Sequence, residues 1–318
     1  MIRLAVRVRR AQAEVVLAEL LELTPAGVEE TELEGGAVEY AVYGAPGELP
    51  SLPDLQAAAG SALVEISTSE IAEDWHERWR RFHHPILIEP PSSAGDSGDG
   101  TSGARPALYV RPPWEAALAR SGRAHEIIID PGQAFGTGAH ATTRLCLEFL
   151  LELCSGDRSG PLLDLGTGSG VLAIAAARLG FAPVLALDHD PDSVRAAREN
   201  ASVNGVQIAV ERFDLRRQPL PSLTAPGLLG SAGDRTGRGV SAGTAPSEPR
   251  GVLLANLLRP LLLELAGTMG EAPRHLIAGG LLREQADEVA AAFSTSHGLR
   301  ERGRLHGGEW AALWLGAD

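Results

Sequence analysis

The run Leu162-Leu163-Asp164-Leu165-Gly166-Thr167-Gly168-Ser169-Gly170, followed by Val171–Ala176, constrains this chain more than any other stretch. A short apolar strand feeds a turn with glycine at alternate positions, and the turn feeds a helix. Glycine lets the backbone approach a ligand closely, and the N–H groups of a helix start favour a carboxylate or phosphate. The same alternation continues downstream. Apolar runs at 183–187, 208–213, 251–255 and 275–278 are separated by helical patterns at 191–201, 258–269 and 284–292. Near-continuous apolar strands between helices predict a parallel sheet covered on both faces, a doubly wound α/β domain. Asp188 ends the second of these strands, 22 residues after Gly166. An acid there can accept hydrogen bonds from ribose hydroxyls.

Two ligand classes and one plain alternative suit this loop. A dinucleotide site asks for G-x-G-x-x-G, so that a pyrophosphate crosses the turn. Here the spacing is G-x-G-x-G, with glycines at 166, 168 and 170. Asp164, before the first glycine, would repel a pyrophosphate and can instead hold an α-amino group. A ligand with an adenosine end and an amino-acid end satisfies both features, and S-adenosylmethionine is such a ligand. The plain alternative is a packing turn, which leaves two neighbouring acids unexplained. Asp190 before Pro191 reads as a helix N-cap. Asp214 reads equally as a contact to the adenine amine or as an ordinary loop acid.

A second motif spans Asp130–Thr143, DPGQAFGTGAHATT, between a strand at 127–129 and a helix running through Leu150. So many turn-formers imply a fixed backbone path. One of Thr142 and Thr143 is expected to cap the helix, and the other to offer its hydroxyl to the cofactor. Phe135 packs on the ligand or on the core. His140 has no acid partner visible in the sequence to make it a base. Asn256 ends the strand of 252–254 at the sheet edge where ligands bind. Its amide oxygen can accept a hydrogen bond from an incoming amine or contact the cofactor. The following Leu257-Leu258, rather than Pro-Pro-aromatic, argues against a grip on a planar base.

The first third reads differently. Strands at 2–9, 26–33, 38–43 and 62–67, with helices at 11–21 and 54–60, give the split βαβ, ferredoxin-like order. A helix over 71–82 would carry Trp75 and Trp79 on one face. Strands at 85–90 and 108–111 flank a Ser/Gly/Asp/Pro-rich loop, and a second low-complexity stretch covers 221–250. At 318 residues and 44% apolar content the chain can build two cores. Its charge of −13 disfavours nucleic acid or an anionic membrane and suits a basic protein partner. The two cysteines, Cys146 and Cys154, make neither a disulfide framework nor a zinc site, so no metal is expected and a reduced, cytoplasmic setting is. No signal peptide and no 18-residue apolar span is read.

Together these motifs resemble the PrmA family, the methyltransferases acting on protein eleven of the large ribosomal subunit. The resemblance rests on DPGQAFGTGAHATT at 130–143, DLGTGSGVLAIAA at 164–176, ALDHDP at 186–191, ANLL at 255–258 and GGLLREQ at 279–285. EDWHERW at 73–79 and VRPPWE at 110–115 add to it. It covers nearly the whole chain. It implies a doubly wound, seven-stranded class I S-adenosylmethionine-dependent methyltransferase domain with a smaller N-terminal ferredoxin-like α+β domain. By position it places cofactor contacts on Thr143, Gly166, Asp188 and Asn256. Gly168, Asp164 and Phe135 complete the expected pocket, and Asn256 is the candidate for positioning the amine. The implied organisation is substrate recognition by 1–65, a bridging segment at 66–120 with a disordered insert near 91–106, and catalysis by 121–318 with a flexible insert near 221–250. The implied activity is methylation of lysine side chains, and of an N-terminal α-amine, on the free ribosomal protein by a cytoplasmic monomer. The competing readings are an N-methyltransferase acting on a different protein or a small amine, and a cofactor-binding protein without catalysis. Ala141 stands where the family commonly has proline, and both inserts are longer than usual.

Overall fold

The alternation of the first strand decides how the N-terminal unit is built. Leu4, Val6 and Val8 point to one face, Arg3 and Arg7 to the other. The computed structural model describes residues 2–13, 16–17, 20, 28–33, 36–44, 49–50, 52–70, 83–91, 105–117, 124–131, 140–156, 160–224 and 250–317. It divides into two compact units, Met1–Phe82 and His83–Asp318. In the first, β1 (Ile2–Arg9), β2 (Glu29–Leu33), β3 (Ala37–Gly44) and β4 (Leu63–Glu70) make an antiparallel sheet. The strand order is β2-β3-β1-β4. β1 and β2 therefore run parallel with β3 between them, the expected ferredoxin-like arrangement. Helical residues Ala13, Val16 and Leu20 and helix α1 (Leu52–Ala59) cover the apolar face, where Tyr40 donates from its hydroxyl to Ala13 O at 3.0 Å. On the other face Arg7 lies opposite both Glu39 and Glu65 and pairs with each at 2.6 Å. The flanking arginines Arg3 and Arg7 hold the Glu39 carboxyl below the usual range. The boundary expected at residue 65 falls inside β4, because Ile66 to Glu70 continue the pairing with β1. Trp75 and Trp79 lie outside the described residues.

The second unit opens with a three-stranded sheet of β5 (Ile86–Ile88), β6 (Ala107–Arg111) and β7 (Ala124–Ile128). β5 and β6 are the expected strand pair, antiparallel and with β5 shorter than the 85–90 read from sequence, and β7 adds parallel to β6. Residues 92–104 between the pair lie outside the described residues. Arg111 gives the VRPPWE segment its physical meaning. Its guanidinium is almost fully buried, pairs with Glu126 at 2.7 Å and donates to the carbonyls of Pro112 and Glu115.

α2 (Ala141–Gly156) runs six residues past Leu150, since Leu151, Leu153 and Cys154 still bury their side chains. After it come β8 (Leu162–Leu165), α3 (Val171–Arg178), β9 (Val184–Asp188), α4 (Pro191–Val203) and β10 (Ala209–Arg212). β11 (Val252–Asn256), α5 (Arg259–Thr268), β12 (His275–Leu282) and α6 (Ala286–His297) follow, and a hairpin of β13 (Arg300–Gly307) and β14 (Trp310–Gly316) ends the unit. The strands form one sheet in the order β10-β9-β8-β11-β12-β14-β13. The first five are parallel, and β14 inserts antiparallel between β12 and β13. This is the expected seven-stranded class I methyltransferase sheet.

Alternate residues of its strands feed two separate cores. Leu162, Ala186, Val252 and Ile277 face one, while Leu163, Leu185, Leu253 and Leu276 face the other. Both faces are covered, as uninterrupted apolar strands require. Strand order reverses between β8 and β11, so the crevice at their C-terminal ends is where a ligand site is built.

α4 begins as its sequence predicts. Pro191 occupies the first turn, and Asp190 accepts from Asp192 N at 3.2 Å and Ser193 N at 3.1 Å. Asp190→Ala is expected to lower stability by about 1 kcal/mol, the usual worth of such a cap. Denaturant titration of both chains checks this, and an unchanged midpoint would show the cap to be idle.

Candidate active site

The glycine loop leaves β8 in backbone conformations that side chains resist. Gly166, Gly168 and Gly170 have φ of +74°, +53° and +85°. A Cβ on Gly166 would lie 2.4 Å from Leu257 Cδ2, so a side chain there would have to displace Leu257 besides straining the backbone. Gly166 N and Thr167 N donate to Leu187 O at 2.8 and 3.0 Å. Gly168 N donates to Asp188 Oδ2 at 2.8 Å, and Asp190 N to Asp188 Oδ1 at 3.0 Å. Asp188 thus clamps the loop; His189 Nδ1 also lies 3.4 Å from its Oδ1, while its Oδ2 keeps a further lone pair.

Asp164 is completely buried behind the loop. Its Oδ2 accepts from Thr167 Oγ1 at 2.6 Å, and its Oδ1 has no hydrogen-bond partner among the described residues. Burial pushes this carboxyl up to about 7 against the opposing pull of Thr167 and the Ala173 backbone, and Asp188 adds a smaller repulsion. A second buried oxygen in the same condition is Asn256 Oδ1. The Asn256 amide nitrogen donates to Thr143 Oγ1 at 3.2 Å, which brings together two candidates 113 residues apart. Gly279 makes room for this pair. A Cβ there would lie 2.5 Å from Cys146 Sγ and 2.8 Å from Asn256 Oδ1. Burial pushes the Cys146 thiol up, so it stays protonated.

Neither threonine caps α2. Thr143 is occupied by Asn256, and Thr142 Oγ1 lies 2.8 Å from His140 Nδ1. His140 takes the capping place instead, its Nδ1 accepting from Thr142 N at 3.4 Å. Its ring stands edge-on to Trp310 with centroids 5.1 Å apart, and burial lowers its pKa. Asp214 is a turn-former: it accepts from Arg216 N at 3.0 Å and pairs with Arg217. Phe135, in the stretch 132–139, lies outside the described residues.

Two positioning residues escaped sequence reasoning. Asn200 donates to Ser169 O at 2.8 Å and accepts from Asp130 N at 3.0 Å, joining the glycine loop to the start of the 130–143 motif. Asn204, one turn on, brackets Ile128 through its N–H at 2.9 Å and its carbonyl at 2.6 Å. Both are almost fully buried. The available signal was two amides at i, i+4 on the helix after the ribose-type acid.

A strand-end acid, a glycine cradle and two buried acceptors thus gather at the reversal of strand order. The family described as ribosomal protein L11 methyltransferase (PrmA) matches residues 52–317. The chain belongs to this family. It is 36% identical over 267 residues to the ribosomal protein L11 methyltransferase of Geobacter sulfurreducens, covering 82% of this chain and 73% of that one. To the Chloroflexus aurantiacus protein of the same name it is 37% identical over 269 residues, covering 79% and 71%. Among solved structures it resembles the ribosomal protein L11 methylase of Lactobacillus delbrueckii subsp. bulgaricus. The TM-score is 0.51 at 28% identity, covering 66% of this chain and 95% of that one. A chain of the PrmA family is a methyltransferase. Among the described residues no group of three or more side chains could hold a metal ion, and no helix is long and apolar enough to cross a membrane.

Asp164 generates a pH test. In the cofactor-free protein its folded carboxyl holds a proton more tightly than the unfolded chain does. That stabilisation is complete below the ordinary value of 3.8 and is lost as pH rises through about 7. Asp164→Asn is expected to remove this loss. Denaturation of both proteins at several pH values from 4 to about 8 checks it, and parallel curves would refute a raised Asp164.

Proposed function

We propose that this chain transfers methyl groups from S-adenosyl-L-methionine to lysine side-chain amines, and to the N-terminal α-amine, of ribosomal protein L11. It acts in the cytoplasm, as a monomer, on the protein before it joins the ribosome. The observation that carries the proposal is Asn256. It ends β11 beside the glycine loop, is fixed through its amide nitrogen to Thr143, and keeps its buried oxygen open.

When bound, the cofactor supplies a methyl group on a positively charged sulfur. Asp164 Oδ1 would receive its ammonium group, and the remaining lone pair of Asp188 Oδ2 a ribose hydroxyl. Gly166 and Gly168 would let it lie against the backbone, and Phe135 would contact it from the 130–143 motif. Asn256 Oδ1 would accept an N–H of the incoming amine and so aim the nitrogen lone pair. Positioning of this kind is the main thing an in-line methyl transfer needs from a protein. The amine must also arrive neutral. His140 serves poorly as its base, because its Nδ1 is engaged by Thr142 and burial disfavours its protonation. Loss of the proton is assigned to desolvation, which lowers an ammonium pKa.

The N-terminal unit is the proposed docking element. A pocket that admits a lysine tip cannot supply the roughly 800 Å² per partner of a specific protein contact. The charged face of the four-stranded sheet, with Arg3, Glu39, Arg7 and Glu65, offers polar area for that purpose. The net charge of −13 favours encounter with a basic partner. The alternative, a small-amine methyltransferase, needs no such element.

Purified ribosomal protein L11, labelled cofactor and mass spectrometry of the products test the reading. The full chain should label lysines of L11, and more efficiently than small amines. Asn256→Ala should lower kcat roughly ten- to a hundred-fold, the worth of one hydrogen bond made in the transition state. A chain shortened to residues 83–318 should bind cofactor normally and lose transfer to L11. Equal labelling of L11 by the short chain would remove the docking role and favour the small-amine reading.

A further inference from the structure

The strand beside Asn256 loses its regular pairing where it reaches the crevice. β12 pairs with β11 as far as the partners Gly279 and Asn256. On its other side Ala278 pairs with Leu313 of β14, and the next pair is Leu281 with Ala311. Gly279 and Gly280 thus stand opposite Ala312 alone, two residues against one, which makes a β-bulge. Burial anchors the bulge on both sides. Residues three apart on a regular strand face opposite ways, yet Ala278 and Leu281 enter the same core, together with Leu313 and Ala311. The extra residue restores that phase, so the bulge cannot slide without turning a buried side chain out of the core.

Both bulge residues are glycine, and both press on the Asn256 segment. A Cβ on Gly279 would lie 2.8 Å from Asn256 Oδ1. Gly280 is the tighter position. Its φ is +78°, and a Cβ there would lie 2.4 Å from Leu257 O, 2.8 Å from Leu257 C and 3.2 Å from Leu257 N. These are backbone atoms, which cannot swing aside as the end of a side chain can. Leu257 directly follows Asn256, and it is also the residue that a side chain at Gly166 would displace. The bulge, the Asn256–Leu257 peptide and the glycine loop therefore lie in one line of contact.

We infer that Gly280 is a positioning residue of methyl transfer: the bulge braces the Asn256–Leu257 peptide and thereby sets where Asn256 Oδ1 stands. The inference rests on the reading of Asn256 as the group that aims the amine. Asn256 is then held from two directions. Its amide nitrogen donates to Thr143 Oγ1 at 3.2 Å, and the peptide that follows it abuts Gly280. To give a Cβ at 280 even 3.0 Å of room, that peptide and the bulge must part by at least about 0.6 Å. Misplacement of a positioned group by about 1 Å costs on the order of a hundredfold in rate. Bulges beside active sites commonly aim a side chain, and here the aimed side chain belongs to the neighbouring strand.

Kinetics of the full chain with labelled S-adenosyl-L-methionine and ribosomal protein L11, together with NMR of the Asn256 side-chain amide, test the inference. The signal pair lost in Asn256→Ala identifies that amide. Gly280→Ala should lower kcat about ten- to a hundred-fold, change cofactor affinity by less than about threefold, and shift the Asn256 amide signal. Gly280→Asn, whose side chain tolerates positive φ, keeps the clash with less strain and should show the same effects. Gly298→Ala is the matched control: φ is +66° there, and nothing lies within 4 Å of a Cβ. It should lose stability through backbone strain and keep both kcat and the Asn256 signal. Asn256→Ala with Gly280→Ala should be slower than Asn256→Ala alone by no more than about twofold, since both act through one group. An unshifted Asn256 signal in the Gly280 variants would overturn the inference. So would an unchanged kcat, or costs that add in the double variant. Full kcat in Asn256→Ala would overturn the reading of Asn256 and this inference with it, whereas a slow Asn256→Ala beside a normal Gly280→Ala overturns the inference alone. If L11 accepted no methyl group from the unaltered chain, the acceptor would be wrong, and the amide signal would decide on Gly280.

Discussion

The carboxylate of Asp188 is the fixed point of the catalytic unit. One oxygen receives Gly168 N and the other Asp190 N, so a single side chain ties the glycine loop to the turn that starts α4. A carboxylate accepting backbone N–H groups makes bonds roughly twice as strong as neutral ones. It also sets a charge beside the left-handed glycines before any ligand arrives. α4 then returns the constraint through Asn200 to Ser169 and Asp130, and through Asn204 to Ile128. Two stretches far apart in sequence become one rigid rim, which is the preorganisation that positioning chemistry requires.

Much of this was legible because it is written in the vocabulary of backbone geometry. Alternate glycines after an apolar strand, an acid at the next strand end, and Asp before Pro each have one dominant physical reading, and β8, β9 and α4 follow them closely. What stayed hidden depends on tertiary partners. Asn200 and Asn204 sit in a polar-looking helix, and nothing local says that they face inward. Thr142 and Thr143 look like caps, but α2 starts one residue before them, and His140 and Asn256 claim their hydroxyls. β13, RERGRLHG, carries charges along an edge strand and shows no apolar alternation to read. The seven-strand count accordingly came from family resemblance and not from periodicity. The end of the N-terminal sheet was misplaced for a similar reason. The strand read over 62–67 stops short, because Thr68 and Ser69 look like a loop, yet their backbone groups complete the ladder with β1.

The site also shows how a polar core is tolerated in an apolar sheet. Asp164 occupies a strand position on the face where its neighbours Leu162, Ala186 and Leu254 bury only carbon. An ionised carboxylate there would be costly, and protonation is the cheaper state until a cation is supplied. Thr167 satisfies one oxygen, Thr143 steadies the amide of Asn256, and the two remaining oxygens stay buried without a hydrogen-bond partner among the described residues. Such groups are expensive for folding and useful for binding, and their concentration at one place marks where the fold gives up stability for function.

Cys146 and Cys154 lie on α2, the helix that carries Thr143, and both are buried. Their thiols are shut away from solvent and, at Cys146, held in the unreactive protonated form. Among the 318 residues there is no third cysteine to react first. Alkylation of the native protein would therefore report how often α2 swings away from the sheet. The chain thus carries, in its own helix, a clock for the breathing of its catalytic wall.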